Sequence, residues 1–228
     1  MKAFILCAGL GTRMRPLTSV LPKALLPVCG KPAILHVFDH LKTIGIKDVI
    51  INTHYLLDKF RPILGDGSGF GINLNYSYEK NLLDTGGGLK KVEYFLRDST
   101  FIMYNCDVIC DVSLKEMLEY HKKNKNSITL LSSKKHKPKA LITDEKGRVK
   151  DFVSEGKGDS VFCGIHVIEP IIFSFIKKVE KVSIIPIYKK LIENGIPINT
   201  FSLSSKYWQE IGSIESYMDI NKGIVKYG

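Results

Sequence analysis

Long apolar runs are missing from this chain. No stretch approaches the roughly 18 consecutive apolar residues of a membrane-spanning helix, so no such span is expected. Cysteine is sparse: Cys7, Cys29, Cys106, Cys110 and Cys163 are odd in number and form no C-x-x-C pair. That argues against a zinc knuckle and a disulfide framework, and all five are expected to be reduced, in a cytoplasm. A cleavage-site pattern is absent from the N-terminal residues, which run straight into an apolar strand, so no signal peptide is expected. Repeats, low-complexity tracts and linker-like segments are also missing, which points to one domain over residues 1–228. Aromatic residues do not interleave the basic runs Lys122-Lys123-Asn124-Lys125 and Lys134-Lys135-His136-Lys137-Pro138-Lys139. A net charge of +10 therefore does not point to nucleic acid, although a positive field would draw in anionic nucleotides and sugar phosphates. No Ser-His-Asp or Cys-His arrangement is readable, and His36 and His40, one helical turn apart, lack an acid partner at metal-ligand spacing.

What is present is an alternation of apolar runs with amphipathic stretches. Strands are predicted at Ala3–Leu6, Val49–Asn52, Leu74–Tyr78, Phe101–Tyr104 and Ile128–Leu131, and helices at Ala33–Ile44, Leu56–Leu64, Gly88–Phe95 and Leu114–Asn124. This βαβα order predicts an α/β fold: a mostly parallel, mixed sheet with helices on both faces. After residue 138 the texture changes. Ala140–Thr143 and Val149–Val153 flank the turn Asp144-Glu145-Lys146-Gly147, which reads as a hairpin. A strand at Val161–Ile168, helices at Phe173–Val179 and Ile184–Glu193, a strand at Ile198–Ser202 and a terminal helix from Ile214 follow.

The most informative stretch is Leu6 to Pro27, LCAGLGTRMRPLTSVLPKALLP. Gly9 and Gly11 follow the first strand, then Arg13 and Arg15, and Lys23 stands after Pro22. Glycines permit close backbone approach, arginine offers a fork for phosphate oxygens and lysine a mobile charge, which together suit a polyphosphate. The P-loop pattern is absent. The dinucleotide fingerprint G-x-G-x-x-G half-matches, with Met14 where the third glycine should stand, which disfavours a nicotinamide-dependent oxidoreductase and leaves Lys23 unexplained by it. A tight turn with solvated arginines is the plainer alternative. In parallel α/β sheets ligands sit at the carboxyl ends of strands, where the glycine loop and Asp107 both fall.

The stretch resembles the signature of the sugar-1-phosphate nucleotidyltransferases, L-x-x-G-x-G-T-R-x-x-P-x-T followed by P-K-P-L-x-P, with Ala24 in place of the middle proline. That resemblance implies a three-layer, Rossmann-like fold of the nucleotide-diphospho-sugar transferase type. It implies a nucleotide-binding half before about residue 135 and a sugar-phosphate half after it. It places Leu6, Ala8, Gly9, Gly11, Thr12, Arg13 and Lys23 around a nucleoside triphosphate, with Arg13 and Lys23 catalytic. Tyr104-Asn105-Cys106-Asp107 stands where the family has N-G-D, which implies Asp107 as catalytic Mg²⁺ ligand and Asn105 near the sugar phosphate; with Cys106 in place of glycine a residue with a side chain must make the turn, and a crowded or altered approach is expected. Trp208-Gln209-Glu210-Ile211-Gly212-Ser213 is similar to W-x-D-x-G-T, which implies Glu210 as the second metal ligand. On residue type alone, Asp107 also reads as a turn or cap residue and Glu210 as an exposed acid before an N-cap at Ser213.

Two further segments carry expectations. Leu83-Asp84-Thr85-Gly86-Gly87-Gly88 resembles the corresponding segment of single-domain N-acetylmuramate-1-phosphate uridylyltransferases of peptidoglycan recycling, in the biosynthesis of the cell wall. Its glycines predict exposed N–H groups before a helix, placing Thr85, Gly86 and Gly87 against a base or ribose. Cys163-Gly164-Ile165 and Phe152-Val153-Ser154-Glu155-Gly156-Lys157 resemble the family's sugar-binding motifs, which implies Gly164, Glu155 and Lys157 as contacts to the sugar phosphate, the latter two reading equally as solvated charges. The expected reaction is Mg²⁺-dependent transfer of a nucleotidyl group to a sugar 1-phosphate, UTP with N-acetylmuramate 1-phosphate first, GTP with mannose or heptose 1-phosphate next. A nucleotide-sugar-binding relative without catalysis is the rival. The expected partners are those small molecules, with no nucleic acid and no membrane, in a monomer or small homo-oligomer.

Overall fold

The computed structural model describes residues 1–203 and 207–223. In chain order the elements begin with β1 (Lys2–Leu6), β2 (Pro27–Val28), β3 (Lys31–Pro32), α1 (Ala33–Lys42), β4 (Asp48–Thr53), α2 (Phe60–Leu64) and β5 (Asn73–Tyr78). There follow α3 (Asp84–Lys91), α4 (Glu93–Leu96), β6 (Phe101–Asn105), β7 (Val108–Cys110), α5 (Leu114–Lys123) and β8 (Ile128–Ser133). The remainder are β9 (Leu141–Thr143), β10 (Val149–Phe152), β11 (Val161–Ile168), α6 (Ile184–Glu193), β12 (Ile198–Ser202), β13 (Trp208–Glu210) and α7 (Ile214–Gly223). Seven strands form one sheet in the order β12-β8-β11-β6-β1-β4-β5. The expected α/β sheet with helices is therefore present. No helix among the described residues is long and apolar enough to cross a membrane.

Contacts divide the chain into two compact units that interleave in sequence. Among the described residues the β1 unit comprises 3–82, 104–112 and 207–223, and the β8 unit 1–2, 83–103 and 113–203. The nucleotide and sugar halves expected on either side of about residue 135 are a division by function and do not follow these units.

In the β1 unit, β1, β4 and β5 are parallel neighbours, with Leu6 opposite Asn52 and Asn52 opposite Ser77. Ala3, Phe4 and Ile5 are fully buried, as are Val49, Ile50 and Ile51. Continuous apolar runs of this kind suit parallel strands covered on both faces. Met14, Leu26, Val28, Ala33, Ile109, Ile211 and Ile220 form one buried cluster. In the β8 unit, β8 pairs parallel with β12 and antiparallel with β11. The predicted hairpin is present as antiparallel β9 and β10. Ser113 caps α5 by accepting from the Glu116 N–H at 3.2 Å, as an S-x-x-E start should. His166, pushed down to about 3 by burial, lies neutral beside the Tyr188 hydroxyl at 2.7 Å.

Three expectations needed correction. The helix predicted over Phe173–Val179 is a six-residue 3-10 turn, Pro170–Phe175; Pro170 pre-sets its first turn and Ile176 leaves in extended conformation. The helix predicted from Gly88 starts at Asp84, so the three glycines lie inside it, and α4 follows as a separate turn. The stretch predicted as helix Leu56–Leu64 is a 3-10 turn, Leu57–Lys59, followed by five-residue α2. Strands β2, β3, β7 and β13 were not predicted; at two or three residues each they carry no readable alternation.

Candidate functional site

The glycine-rich stretch leaves β1 at Leu6. Gly11 is left-handed (φ 60°), and a Cβ there would come 2.9 Å from Thr18 Cγ2, while the Thr18 hydroxyl donates to the Gly11 carbonyl at 2.8 Å. Gly11 is thus required by the loop's own fold. Gly9 is different: a Cβ there would meet no atom of the described residues within 4 Å. A 3-10 turn over Thr12–Met14 then anchors the loop through fully buried Met14, leaving Thr12, Arg13 and Arg15 exposed. The residue that breaks the dinucleotide fingerprint is therefore a core anchor that turns its neighbours outward.

Lys23 sits in a further 3-10 turn, Lys23–Leu25, and its Nζ donates to Asp107 Oδ2 at 2.8 Å. Asp107 lies in the tight turn between β6 and β7, and β7 runs antiparallel to β13 with Val108 opposite Glu210. The Ile211 N–H closes that ladder on the Asp107 carbonyl at 2.8 Å. Backbone pairing thereby brings Glu210 beside Asp107, and Arg13 approaches Glu210 Oε1 at 3.7 Å. Cys106 makes the turn without a positive φ, packs as a buried thiol and donates its N–H to the Leu6 carbonyl at 3.4 Å.

Electrostatics follow from this packing. Burial by itself would lower the Lys23 pKa, but the charge and hydrogen bond of Asp107 outweigh it and the net shift is upward. Lys23 stays a cation. The Glu210 carboxyl is pushed up by burial first and then by the Asp107 charge, against the pull of Lys23 and Arg13. Two carboxylates sharing one field form a place where a cation lowers the energy. Their oxygen donors suit a hard divalent ion, which takes its other ligands from phosphate and water.

Arg13, Lys23, Asp107 and Glu210 are thus assembled within the β1 unit, with Leu6, Ala8, Gly9, Gly11, Thr12 and Asn105 in the same unit. Thr85, Gly86, Gly87, Glu155, Lys157 and Gly164 belong to the β8 unit. There the expectation of exposed amides is corrected. The Gly86 and Gly87 N–H groups both donate to the Val182 carbonyl, at 2.9 and 3.1 Å, and the Thr85 hydroxyl accepts from the Ile184 N–H at 2.8 Å. These glycines admit the 180–187 segment at close range. The nucleotide role of Thr85, Gly86 and Gly87 then rests on the sequence resemblance alone. Glu155 and Lys157 are exposed on a turn completed by left-handed Gly156, whose N–H donates to the Lys139 carbonyl at 2.8 Å. Gly164 (φ 79°) stands at the register shift of β11 between Phe162 and His166. His36 and His40 take structural partners: His36 Nε2 bonds the Val28 carbonyl at 2.9 Å, and His40 bonds the Val112 carbonyl and the Tyr104 hydroxyl at 2.7 and 3.0 Å.

Sequence reasoning missed Asn52 and Glu79, both buried at the carboxyl ends of parallel strands and joined to the start of the glycine loop. The available signal was a polar residue closing an apolar strand on the ligand-binding edge.

Comparison with known proteins bears on the family and the fold. A family model described as nucleotidyl transferase matches residues 2–226. The chain is 31% identical to mannose-1-phosphate guanylyltransferase of Mycobacterium tuberculosis, over 97% of this chain and 65% of that protein. It is 27% identical to UTP–glucose-1-phosphate uridylyltransferase of Synechocystis, over 99% of this chain and 63% of that protein. The chain thus spans a little under two thirds of the length of these relatives. Among solved structures, a Bacillus anthracis protein provisionally described as a glucose-1-phosphate thymidylyltransferase superposes with TM-score 0.87 at 24% identity, over 97% of this chain and 94% of that one. A UDP-glucose pyrophosphorylase in complex with UDP-glucose superposes with TM-score 0.81 at 19% identity, over 100% and 99%. At such identities the likeness speaks to the fold.

Proposed function

The chain belongs to the nucleotidyl transferase family, and from that premise we propose that it transfers a nucleotidyl group from a nucleoside triphosphate to a sugar 1-phosphate, forming a nucleotide-sugar and releasing pyrophosphate. The observation that carries this reading is the pairing of β7 with β13, which sets Glu210 beside the Lys23–Asp107 contact. A phosphate-seeking cation and two hard-metal ligands then meet at the end of a glycine-rich loop.

Roles follow from the matching family motif, and chemistry supports them. Gly9, Gly11 and Thr12 admit the triphosphate chain, with Leu6 and Ala8 bordering it through backbone. Arg13, exposed and forked, holds phosphate oxygens, and Lys23 neutralises the α-phosphate as charge builds there. The sugar phosphate is an anion at neutral pH and attacks phosphorus directly, so no general base is needed and catalysis is positioning plus charge neutralisation. Asp107 and Glu210 would hold Mg²⁺, which when bound supplies Lewis-acid polarisation of the phosphoryl group. Asn105, Gly164, Glu155 and Lys157 are assigned to the sugar phosphate by their place in the matching motifs.

For the substrates, the names of curated relatives favour GTP with mannose 1-phosphate or UTP with glucose 1-phosphate. UTP with N-acetylmuramate 1-phosphate is favoured by Leu83 to Gly88. Pyrophosphate release from GTP, UTP, CTP and dTTP, each with mannose, glucose or N-acetylmuramate 1-phosphate and Mg²⁺, tests both levels. One productive pair is expected; triphosphate binding without release across the panel would instead identify a binding protein that has lost catalysis.

A further inference from the structure

The parallel ladder between β1 and β4 stops at Leu6 opposite Asn52. Beyond it the chain must leave the sheet to form the glycine loop, and the next two N–H groups have no strand to bond. Asn52 supplies the partner from its side chain. Its Oδ1 accepts from the Cys7 N–H at 2.7 Å and from the Ala8 N–H at 3.3 Å. Its Nδ2 donates to Glu79 Oε1 at 2.8 Å. Glu79 follows β5, where its N–H donates to the Thr53 carbonyl at 2.8 Å and its carbonyl accepts from His54 Nδ1 at 2.7 Å. Asn52 is 3% exposed and Glu79 1%. The orientation of the Asn52 amide is set by chemistry, because backbone N–H groups only donate and so must face the oxygen. The side-chain nitrogen is left for the carboxyl group.

We propose that Asn52, held by Glu79, is a positioning residue for the triphosphate: a side-chain continuation of the sheet across three strand ends that sets the direction in which Cys7 and Ala8 deliver the glycine loop. The inference rests on the nucleotidyl-transfer reading for its consequence, though the tether is a property of the fold. Asparagine is needed because one side must accept twice while the other donates. Aspartate keeps the first function and loses the second, and it places two acids face to face in a buried site. Glutamine at position 79 keeps an acceptor for the Asn52 amide. With aspartate at 52 and glutamine at 79, donor and acceptor are exchanged and the chain of bonds is complete again.

The test is a double-mutant cycle of Asn52→Asp, Glu79→Gln and both together. Readouts are triphosphate affinity by calorimetry, separate KM values for triphosphate and sugar 1-phosphate, and thermal midpoints. Asn52→Asp is expected to weaken triphosphate binding about tenfold or more while the sugar 1-phosphate KM moves less than about twofold. Glu79→Gln keeps an acceptor for the Asn52 amide and is expected to cost less affinity than Asn52→Asp, and the double variant to recover most of what Asn52→Asp loses. A general loss of fold would depress both substrates together. Should Asn52→Asp fail to fold, amide exchange of the unaltered protein decides: Cys7 and Ala8 must be as protected as the buried β1 amides while Gly9 exchanges fast. Rapid exchange at Cys7 and Ala8, or a double variant no better than Asn52→Asp, overturns the proposal. Lack of triphosphate binding by the unaltered protein would overturn the transfer reading instead, and protection of the Cys7 and Ala8 amides would then decide whether the tether stands.

Discussion

A Cβ placed on Gly9 would meet no atom of the described residues within 4 Å, whereas one placed on Gly87 would lie 2.0 Å from the Glu180 carbonyl oxygen. Both glycines belong to glycine-rich segments beside an apolar element, and in the sequence both read as sites of close ligand approach. The difference lies in what occupies the space that the missing side chain leaves. At Gly87 it is the protein's own backbone, and the amides of Gly86 and Gly87 are committed to the Val182 carbonyl. At Gly9 no atom of the described residues uses the space, and the neighbouring amides of Cys7 and Ala8 are tied off on Asn52. A glycine required by packing and a glycine that leaves open space are told apart in this way.

The comparison breaks most visibly at Gly87. Gly87→Ala forces a methyl group into a backbone carbonyl that cannot rotate away, with Leu83 Cβ at 3.1 Å on another side. A loss of roughly 4 kcal/mol or more is expected, enough to lower soluble yield and urea midpoint sharply. Gly9→Ala should do the reverse. With open space and no left-handed φ to maintain, the fold should change by less than about 0.5 kcal/mol. The same methyl group would stand in the path of the triphosphate, and a fall of about 100-fold in kcat/KM is expected. Equal stability losses at the two positions, measured by urea unfolding, would erase the distinction.

Gly11 lies between these extremes and sharpens them. Its left-handed backbone makes alanine unfavourable by roughly 1–2 kcal/mol, and the Thr18 methyl at 2.9 Å adds to that. Thr18→Ser removes the methyl and keeps the hydroxyl bond to the Gly11 carbonyl. In the Gly11→Ala background, Thr18→Ser should therefore recover the contact part of the loss and leave the backbone part, which unfolding of the single and double variants would resolve.

Much of this was legible in the sequence. The parallel strands announce themselves as apolar runs, and the spacing of Arg13, Lys23 and the Asp107 turn survives folding intact. What was not legible shares one cause: the deciding partner is remote in the chain. Strands β7 and β13 have three residues each, too short for any period, yet their pairing places Glu210 beside Asp107. Asn52 reads as the end of an apolar run, and only the endpoint of β1 shows why an amide is needed there. The run Thr85 to Gly88 reads as an open base or ribose contact because the carbonyls it packs against, at Glu180 and Val182, belong to a distant segment.

Thr85 gives the smallest and most discriminating contrast. Its hydroxyl oxygen accepts from the N–H of Ile184, the first residue of α6, whose own N-cap is Ser183. Thr85→Val keeps the shape, leaves that N–H without its partner and should lower stability by about 1 kcal/mol. Thr85→Ser retains the oxygen and should lose less. If the hydroxyl serves packing, as the glycines beside it do, triphosphate affinity of the folded Thr85→Val protein stays within about twofold of the unaltered protein. A drop in affinity beyond about fivefold at full folding, restored by serine, would return Thr85 to the nucleotide site and make the T-G-G-G segment a ligand contact as well as a packing one. Calorimetric titration with the productive triphosphate, at a temperature well below both unfolding midpoints, separates the two results because the unfolded fraction then contributes nothing to the heat.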